Sequence, residues 1–345
     1  MPPGRPIVVV VSAVDALMPP RALSTGSTGA ALLVGSASCF GLSVVFAKEA
    51  YAVGVTVSAM LTWRFVLAAV VLWAVLAVRR PTRPSRPALL VCAGLGLVGY
   101  AVQSGLYFSA LTVLDASVAA LLLYCYPALV TVIAIALRRE RAERRKLAAL
   151  ACCALGLLLL LGVGGGAHTV TSRGVVLAVG AAVTYALYIT VADRLPAGTD
   201  LLWMSAVVCT GAAASLASVT VARGATLAVP IGGWLWVTLL AVVSTVAGIV
   251  LFFAGLRRVG GPAAAILSCV EPVVAALAGV VVYAEHLGVG QLLGGVCVLG
   301  AVVVLQGRPR RSRPARPSRL SRTSGRTADS AGQPQDDAIE AATCR

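Results

Sequence analysis

Long apolar runs are the feature that most constrains how this chain can fold. An α-helix needs about 20 apolar residues to cross a hydrocarbon layer roughly 30 Å thick. Ten runs are close to that length, and short segments with charge or turn signals separate them: 28–47, 56–78, 88–110, 115–137, 147–163, 174–193, 201–222, 232–255, 261–283 and 287–306. Of the 345 residues, 59% are hydrophobic and 12% are charged, whereas about a quarter are charged in soluble domains. The sequence predicts an all-α integral membrane protein with ten transmembrane helices.

Basic residues indicate how these helices are oriented. If the N-terminus is cytoplasmic, the outer loops hold only Lys48, Arg173 and Arg223, and the inner loops hold thirteen Lys and Arg residues. Short cytoplasmic loops carry such an excess. We therefore expect a multi-pass protein of a bacterial plasma (inner) membrane with both termini in the cytoplasm. The net charge of +15 follows from this topology and from contact with anionic lipid, so we expect no nucleic-acid partner.

The two ends of the chain and its cysteines carry less information. Residues 1–27 form an N-terminal extension too short in apolar residues to span a membrane, and Met18 is an alternative start. Residues 307–345 lack apolar periodicity and are rich in Arg, Pro and Ser, which predicts a disordered basic cytoplasmic tail. Eight of the nine Cys lie inside apolar runs, with no ligand spacing. We predict no metal and no cofactor.

The chain contains an internal repeat. One offset of 145 residues aligns separated segments without gaps, namely Leu106–Leu111 with Leu251–Leu256, Pro127 with Pro272, Glu140 with Glu285, and Gly29, Leu32 and Gly35 with Gly174, Leu177 and Gly180. Matches of proline and of charged residues at one constant offset are unexpected by chance. We interpret residues 28–163 and 174–306 as two copies of a five-helix unit.

Because five is odd, the second copy enters the membrane in the opposite direction to the first. Inverted repeats are a recurrent architecture of secondary transporters, which bind substrate near the midplane where the repeats meet. Two related halves can exchange conformations, and this exchange produces inward-open and outward-open states of similar energy. The duplication therefore predicts a mechanism as well as a fold.

Several motifs resemble the EamA family of the drug/metabolite transporter superfamily. The segment Tyr124–Pro127, followed by Arg138–Arg141, is similar to the end of one EamA repeat; Glu271–Leu277, followed by Glu285, is similar to the end of the other, and Thr62–Phe65 is similar to the second helix. The resemblance implies ten helices around a central cavity, alternating access, and export of amino acids or other metabolites. It does not imply a particular substrate.

Two ionisable residues lie well inside apolar runs, where a charge costs about 2.5–3.5 kcal/mol on insertion scales. Glu271 lies near the middle of the ninth run, and its counterpart in the first copy is Tyr126. It is a candidate cation or proton site, or a buried carboxyl that fixes helix packing. Arg64 lies about a third of the way along the second run. It is a candidate contact for a carboxylate or phosphate, or a partner of Glu271 or a helix end.

Other polar and aromatic residues share faces of the predicted helices. Such faces suit a wetted cavity, although hydrogen bonds between packed helices are an equally common use. The cavity candidates, besides Glu271 and Arg64, are Tyr100, Gln103, Tyr107, Tyr124, Tyr185, Tyr188 and Ser268, with Ser36, Phe40 and Ser43 on one face of the first run. Pro127 and Pro272 are expected to break their helices, because proline lacks the amide donor.

Four features are interpreted as structural. Trp63 is expected to face lipid or lie near the interface, Asp115 to cap the fourth helix, and Glu285 to pair with a loop arginine. The Gly290–Gly294 motif permits close helix approach, either within the bundle or between protomers, so an oligomer is allowed.

The predicted function is a secondary transporter or facilitator for a small organic metabolite, with protons as a candidate coupling ion. A non-transporting receptor or scaffold with a filled bundle core is the alternative. A membrane enzyme is disfavoured because the sequence has no paired acids, Ser/His pair or HExxH motif inside its runs.

Overall fold

The described part of the chain is helical throughout, without strands. The computed structural model describes residues 26–139, 141–160, 171–195, 199–259, 264 and 267–306. We label its principal helices in chain order as α1 (Ser27–Ala52), α2 (Val57–Arg79), α3 (Arg86–Ala110), α4 (Ala116–Ala136), α5 (Arg144–Leu160), α6 (Ser172–Ala192), α7 (Leu201–Ala222), α8 (Gly233–Leu256), α9 (Val270–Tyr283) and α10 (Val289–Gln306).

Among the described helices, seven are long and apolar enough to cross a membrane: α1 to α4 and α6 to α8. Helices α9 and α10 are apolar but shorter, and α5 begins with three basic residues, Arg144 to Lys146. The chain is therefore a multi-pass membrane protein, and the count of ten spans stays a prediction. Most of the N-terminal extension, Glu140 and the tail after 306 lie outside the described residues.

Side-chain oxygens cap several helix starts. Thr56 accepts a hydrogen bond from the amide of Ala59 at the start of α2, and Asp200 accepts from the amides of Leu202 and Trp203 at the start of α7. The first amides of a helix have no intrahelical partner, so such caps satisfy donors that would otherwise lack one.

Irregular backbone recurs at equivalent positions of the two repeats. Helix α3 contains a π-helical segment at Leu95–Tyr100 and α8 contains one at Leu240–Ala247, so their starts are separated by the 145-residue offset. Turns at 124–125 interrupt α4 and turns at 268–269 precede α9, which agrees with the offset to within one residue. π segments often lie at functional sites.

A proline follows each of these turns. Pro127 is the second residue of the helical segment Tyr126–Ala136, and Pro272 is the third residue of α9. At these first-turn positions proline costs little because the missing amide would have had no helical acceptor. The prolines thus favour helix starts after the turns. In the run predicted at 261–283, turns lie at 268–269 and helix α9 begins after them at Val270, while residues 261–263, 265 and 266 lie outside the described residues.

Helices of the two repeats pack against one another, and the contacting pairs are related by the repeat. Equivalent helices pack on each other in the pairs α2–α7, α4–α9 and α5–α10, while α1 packs on α8 as α6 packs on α3. Glycines permit the closest approaches. Gly156 of α5 lies against Gly294 of α10, since an added Cβ would lie 2.8 Å from the Gly294 carbonyl oxygen. The glycine motif of α10 therefore serves packing within the chain.

Gly96 provides a test of this packing. A Cβ at Gly96 would lie 2.9 Å from the carbonyl carbon of Val208 in α7, whereas a Cβ at Gly105, also in α3, would meet nothing within 4 Å. We expect Gly96→Ala to destabilise the protein by about 1–3 kcal/mol because backbone cannot move aside as a side chain can. Gly105→Ala should be neutral or slightly stabilising. Thermal unfolding in detergent measures both, and equal unfolding temperatures would contradict the proposed contact.

Candidate functional site

A central cavity of about 110 Å³ lies between helices of both repeats. Helices α1, α2, α3 and α4 contribute from the first repeat, and α6 and α9 from the second. It is lined by Phe40, Ser43, Arg64, Tyr100, Gln103, Ser104, Tyr107, Phe108, Leu123, Tyr185 and Glu271. The structure thus brings together the two ionisable residues that the sequence places inside apolar runs.

Arg64 is held by one hydrogen bond and two aromatic rings. Its Nε donates to Thr245 Oγ1 at 2.9 Å, and its Cζ lies 4.9 Å from the ring centroid of Phe108 and 5.2 Å from that of Phe65. These rings favour a cation electrostatically. Among the described residues, neither terminal guanidinium nitrogen has a hydrogen-bond or ion-pair partner, and Arg64 does not pair with Glu271. The two nitrogens remain available for a planar anion in the cavity.

Glu271 lies beside the turn that precedes α9. Its Oε2 is 3.1 Å from the hydroxyl oxygen of Tyr124, and that hydroxyl donates to the carbonyl oxygen of Ser268 at 2.5 Å. A tyrosine hydroxyl has a single hydrogen to donate. When that hydrogen goes to Ser268, the contact with Glu271 is favourable only if the carboxyl itself carries a proton and donates it. The geometry therefore places the Glu271 carboxyl beside a hydroxyl whose single hydrogen has two acceptors within reach.

The polar stripe on α3 lines the cavity as a unit. Tyr100, Gln103 and Tyr107 all contribute to the wall, and Ser104 Oγ donates to Gln103 Oε1 at 3.2 Å. From the other repeat, Tyr185 of α6 lines the same cavity. The shared face that the sequence indicates on α3 is therefore directed to the cavity.

Three predicted residues lie behind the wall. Tyr124 reaches Glu271 without lining the cavity, and Ser268 contributes its carbonyl while its hydroxyl donates to Ala264. The Tyr188 ring packs beside Tyr100 and Tyr185, with centroids 5.9 Å and 6.1 Å away. Ser36 is likewise absent from the wall, because its hydroxyl donates to the Gly248 carbonyl of α8 at 2.8 Å.

The sequence analysis missed Thr245 and Tyr126. Thr245 lies in the π segment of α8, at the repeat position of Tyr100, so the 145-residue offset could have indicated it. The Tyr126 ring packs against Tyr185 with centroids 4.4 Å apart. Tyr126 is the counterpart of Glu271, and the first repeat thus places an aromatic ring where the second places a carboxyl.

A second, larger cavity of about 720 Å³ lies at one end of the bundle. We call it the Lys48 vestibule. It is lined by Lys48, Tyr51, Ala52, Leu111, Thr112, Val113, Leu114, Asp115, Val118 and Tyr283. The Tyr51 hydroxyl donates to the Phe108 carbonyl at 2.9 Å. Because Tyr51 lines the vestibule and Phe108 lines the central cavity, this bond lies between the two spaces.

Glu285 corrects two sequence predictions. It pairs with Lys48 of α1 at 2.9 Å instead of a loop arginine. It also accepts hydrogen bonds from the amides of Ala116 and Ser117, the capping role predicted for Asp115, which caps no amide here. Burial raises the pKa of Glu285, but the bonds from Lys48, Ser117 and the two amides outweigh it, so the pKa lies below its usual value. The carboxylate is charged at neutral pH.

Trp63 occupies a specific position near a loop. Its Nε1 donates to the carbonyl of Leu227 at 2.9 Å, and its ring packs edge-on against Trp234 with centroids 5.2 Å apart. It ties α2 to the segment before α8, and its predicted position facing lipid or near the interface stays a prediction.

Comparisons with known proteins agree with this architecture. The chain is 27% identical over 274 residues to an uncharacterized transporter, YcbK, of Bacillus subtilis (strain 168), covering 76% of this chain and 87% of that protein. It is 29% identical over 222 residues to an uncharacterized transporter of Archaeoglobus fulgidus, covering 64% and 77%. A crystal structure that is 19% identical superimposes with a TM-score of 0.58, covering 81% of this chain and 96% of the other, and it supports the fold alone.

The family comparison reproduces the internal repeat. The model of the EamA-like transporter family matches twice, at residues 27–162 and 172–306, and the two matches begin at the 145-residue offset. Together they cover most of the chain and nearly all of its described helices. The resemblance seen in the sequence motifs is thereby confirmed, and the chain belongs to the EamA-like transporter family.

Proposed function

We propose that this chain is a secondary transporter or facilitator that exports a small organic metabolite, an amino acid or related compound, by alternating access. The observation that carries the proposal is the central cavity, which is built from both repeats and contains one guanidinium and one carboxyl. Membrane lipid surrounds the bundle, and protons are the candidate coupling ion. Sites of this kind at repeat interfaces are typical of secondary transporters.

Alternating access requires two related halves that can exchange conformations. We propose ten spans arranged as inverted five-helix repeats, with residues 28–163 and 174–306 as the two units. Two observations support this symmetry. The contact of α1 with α8 has its repeat equivalent in the contact of α6 with α3, and each repeat contains a π segment. The loop charges favour cytoplasmic termini and a bacterial plasma membrane, with Lys48, Arg173 and Arg223 on the outer side.

The two ionisable residues match the two ends of an amino acid. The free nitrogens of Arg64 suit a carboxylate, since guanidinium binds planar oxyanions with two parallel hydrogen bonds. Glu271 suits either an ammonium group or a coupled proton. The tyrosine hydroxyls of Tyr100 and Tyr107 supply neutral hydrogen-bonding groups between them. Arg64 and Glu271 are therefore proposed as substrate and ion contacts.

The scaffold alternative requires a bundle core filled by side chains. The central cavity, and the terminal nitrogens of Arg64 that have no partner among the described residues, count against a core built only for packing, because a buried charge normally has all its donors satisfied. An enzymatic role gains no support from the relatives, which are named as transporters.

A metabolite screen identifies the substrate. Cells that overexpress the chain should accumulate a specific small organic acid or amino acid in the medium, relative to cells with an empty vector. Cells that express the Arg64→Gln variant serve as a second control. Identical media from all three strains under conditions of verified expression would contradict export.

Glu271 is tested with that substrate in proteoliposomes. We expect Glu271→Gln to abolish the dependence of transport on a pH gradient, because glutamine keeps the shape but cannot exchange a proton. The control is Asp193→Asn, which neutralises an exposed carboxylate at the end of α6. A pH-sensitive dye inside the liposomes reports proton movement, and undiminished substrate-driven proton movement in Glu271→Gln would exclude Glu271 as the coupling site.

Arg64 and Thr245 are tested through substrate affinity. Arg64→Gln should raise KM for an anionic substrate by about tenfold or more, since a charge-assisted hydrogen bond contributes about 1.5–3 kcal/mol. Thr245→Val removes the Nε acceptor and should raise KM a few-fold, while Thr245→Ser keeps the hydroxyl and should resemble the parent. Arg223→Gln, at an exposed arginine after α7, is the charge control. Equal KM values for Arg64→Gln and Arg223→Gln would refute the assignment.

A further inference from the structure

The outer half of α1 lies between the central cavity and the Lys48 vestibule. This segment, Ser43–Ala52, is about 15 Å long at 1.5 Å per residue. Ser43 at its start lines the central cavity, whereas Lys48, Tyr51 and Ala52 toward its end line the vestibule. A displacement of this one segment would join the two spaces.

The segment begins at an interruption of its helix. A turn at Leu42 separates Gly26–Gly41 from Ser43–Ala52, whereas the equivalent helix of the second repeat, α6, is continuous over Ser172–Ala192. The interruption coincides with a close contact to α9. A Cβ at Gly41 would lie 2.7 Å from the Glu271 carbonyl oxygen and 2.8 Å from Val274 Cβ. The contact gives the segment a fixed pivot next to Glu271.

Polar contacts hold the far end of the segment to α9 and the loop after it. Lys48 Nζ donates to Glu285 Oε1 at 2.9 Å, and its side chain is 19% exposed against 6% for Glu285. The Tyr283 hydroxyl lies 3.2 Å from the Val45 carbonyl oxygen and 3.1 Å from Glu49 Oε1. These bonds join α1 to α9 and its loop.

Glu285 is itself fixed to α4. Its carboxylate accepts from the Ala116 amide at 2.8 Å, from the Ser117 amide at 3.2 Å and from the Ser117 hydroxyl at 2.7 Å. Helix N-termini stabilise such an anion. Since α4 is also joined to the start of α9 through Tyr124 and Glu271, α4 and α9 are connected at both ends and can move as one body relative to the outer half of α1.

We propose that Ser43–Ala52 is a gate between the central cavity and the vestibule, and that Glu285 is its latch, released when Lys48 separates from it. The gate rests on the proposed function, because it supplies the outward opening that alternating access requires. Opening breaks the bonds from α1 to Glu285 and Tyr283 and leaves the bonds between Glu285 and α4 intact. The latch thus has a fixed side, α4 with α9, and a moving side, α1.

The latch belongs to one repeat only. The counterpart of Lys48 is Asp193, an exposed residue at the end of α6. Gly279 leaves room for the Glu285 carboxylate, with which a Cβ at that position would collide, and the counterpart of Gly279 is Ala134. The equivalent positions of the other repeat thus hold an acidic residue in place of the cation and an alanine in place of the glycine, while Glu140, the counterpart of Glu285, lies outside the described residues. Two nearly symmetric conformations would then differ in energy, with the outer-closed state favoured by the latch.

The gate is tested by cysteine accessibility, which needs no transported substrate. The reporter is Ser104→Cys, at a buried position in the central cavity, in a background whose native cysteines are replaced by alanine. A membrane-impermeant methanethiosulfonate reagent is added to right-side-out vesicles. We expect Lys48→Met and Glu285→Gln each to raise the labelling rate about tenfold or more, since each removes a charge-assisted hydrogen bond.

The controls are matched to each variant. Asp115→Asn neutralises the neighbouring carboxylate of the vestibule, and Arg173→Gln removes an exposed basic residue at the start of α6. Both should label at the parent rate. Lys48→Met leaves the bonds between Glu285 and α4 in place, so it remains informative if Glu285→Gln misfolds, which size-exclusion chromatography would reveal.

Three outcomes would overturn the proposal. The first is a labelling rate in Lys48→Met that equals the parent rate. The second is an equal rise of the labelling rate in Asp115→Asn. The third is a rise confined to inside-out vesicles, which would assign the latch to the other face. Faster labelling in the latch variants, without export of any metabolite by the parent protein, would support the gate and contradict the proposed function. The two failures are therefore distinguishable. The double variant Lys48→Glu with Glu285→Lys should keep the raised labelling rate of the single variants. The reason is that lysine at position 285 offers no acceptor to the amides of Ala116 and Ser117.

Discussion

The need to satisfy every backbone polar group without water determines where this membrane bundle can be irregular. A carbonyl or amide left unpaired in hydrocarbon costs several kcal/mol, so non-helical backbone is tolerated only where protein or a cavity surrounds it. The turn before α9 follows this constraint, because the Tyr124 hydroxyl pairs the Ser268 carbonyl. Once that turn is satisfied, Glu271 can be placed beside it, next to the cavity. The same requirement explains why Glu285 caps the amides at the start of α4.

Helix association in such a bundle depends on close approach more than on the hydrophobic effect, since lipid is as apolar as leucine. The repeat accounts for where the largest approaches occur, because the contact of α1 with α8 has its equivalent in that of α6 with α3, and α2–α7, α4–α9 and α5–α10 pair equivalent helices. Gly96 allows α3 to meet the backbone of α7, and Gly156 allows α5 to meet α10. Gly41 brings α1 against α9 at the height of Glu271. The contact of Gly41 with the Glu271 backbone therefore packs α1 on α9 and also positions the candidate gate.

The sequence predicted a multi-pass helical protein and its internal repeat well because both depend on averages over many residues. Loss of water from about 20 apolar residues is insensitive to any single one, and the 145-residue offset recurs in both π segments. Individual partners were harder to predict. Asp115 stands at a suitable capping position, yet it is Glu285, far along the chain, that accepts the hydrogen bonds from the amides of Ala116 and Ser117. Thr245 resembles any other polar residue in an apolar run until its bond to Arg64 is seen. Such pairings depend on tertiary geometry, which no local pattern encodes.

Duplication produces a symmetric scaffold, and residues that differ between the two halves can make the inward-open and outward-open states unequal in energy. In this chain the differences are concentrated in a few positions: Glu271 opposite Tyr126 and Lys48 opposite Asp193. The first pair places a carboxyl on one side of the cavity, and the second places a cation at one end of the bundle. Helices α4 and α9 connect these two positions through Tyr124 and Glu285. Protonation of Glu271, or a substrate bound beside it, would therefore act on the same pair of helices that carries the latch. In such an arrangement a local charge change can bias which face opens, provided that it alters the Tyr124 contact differently in the two states.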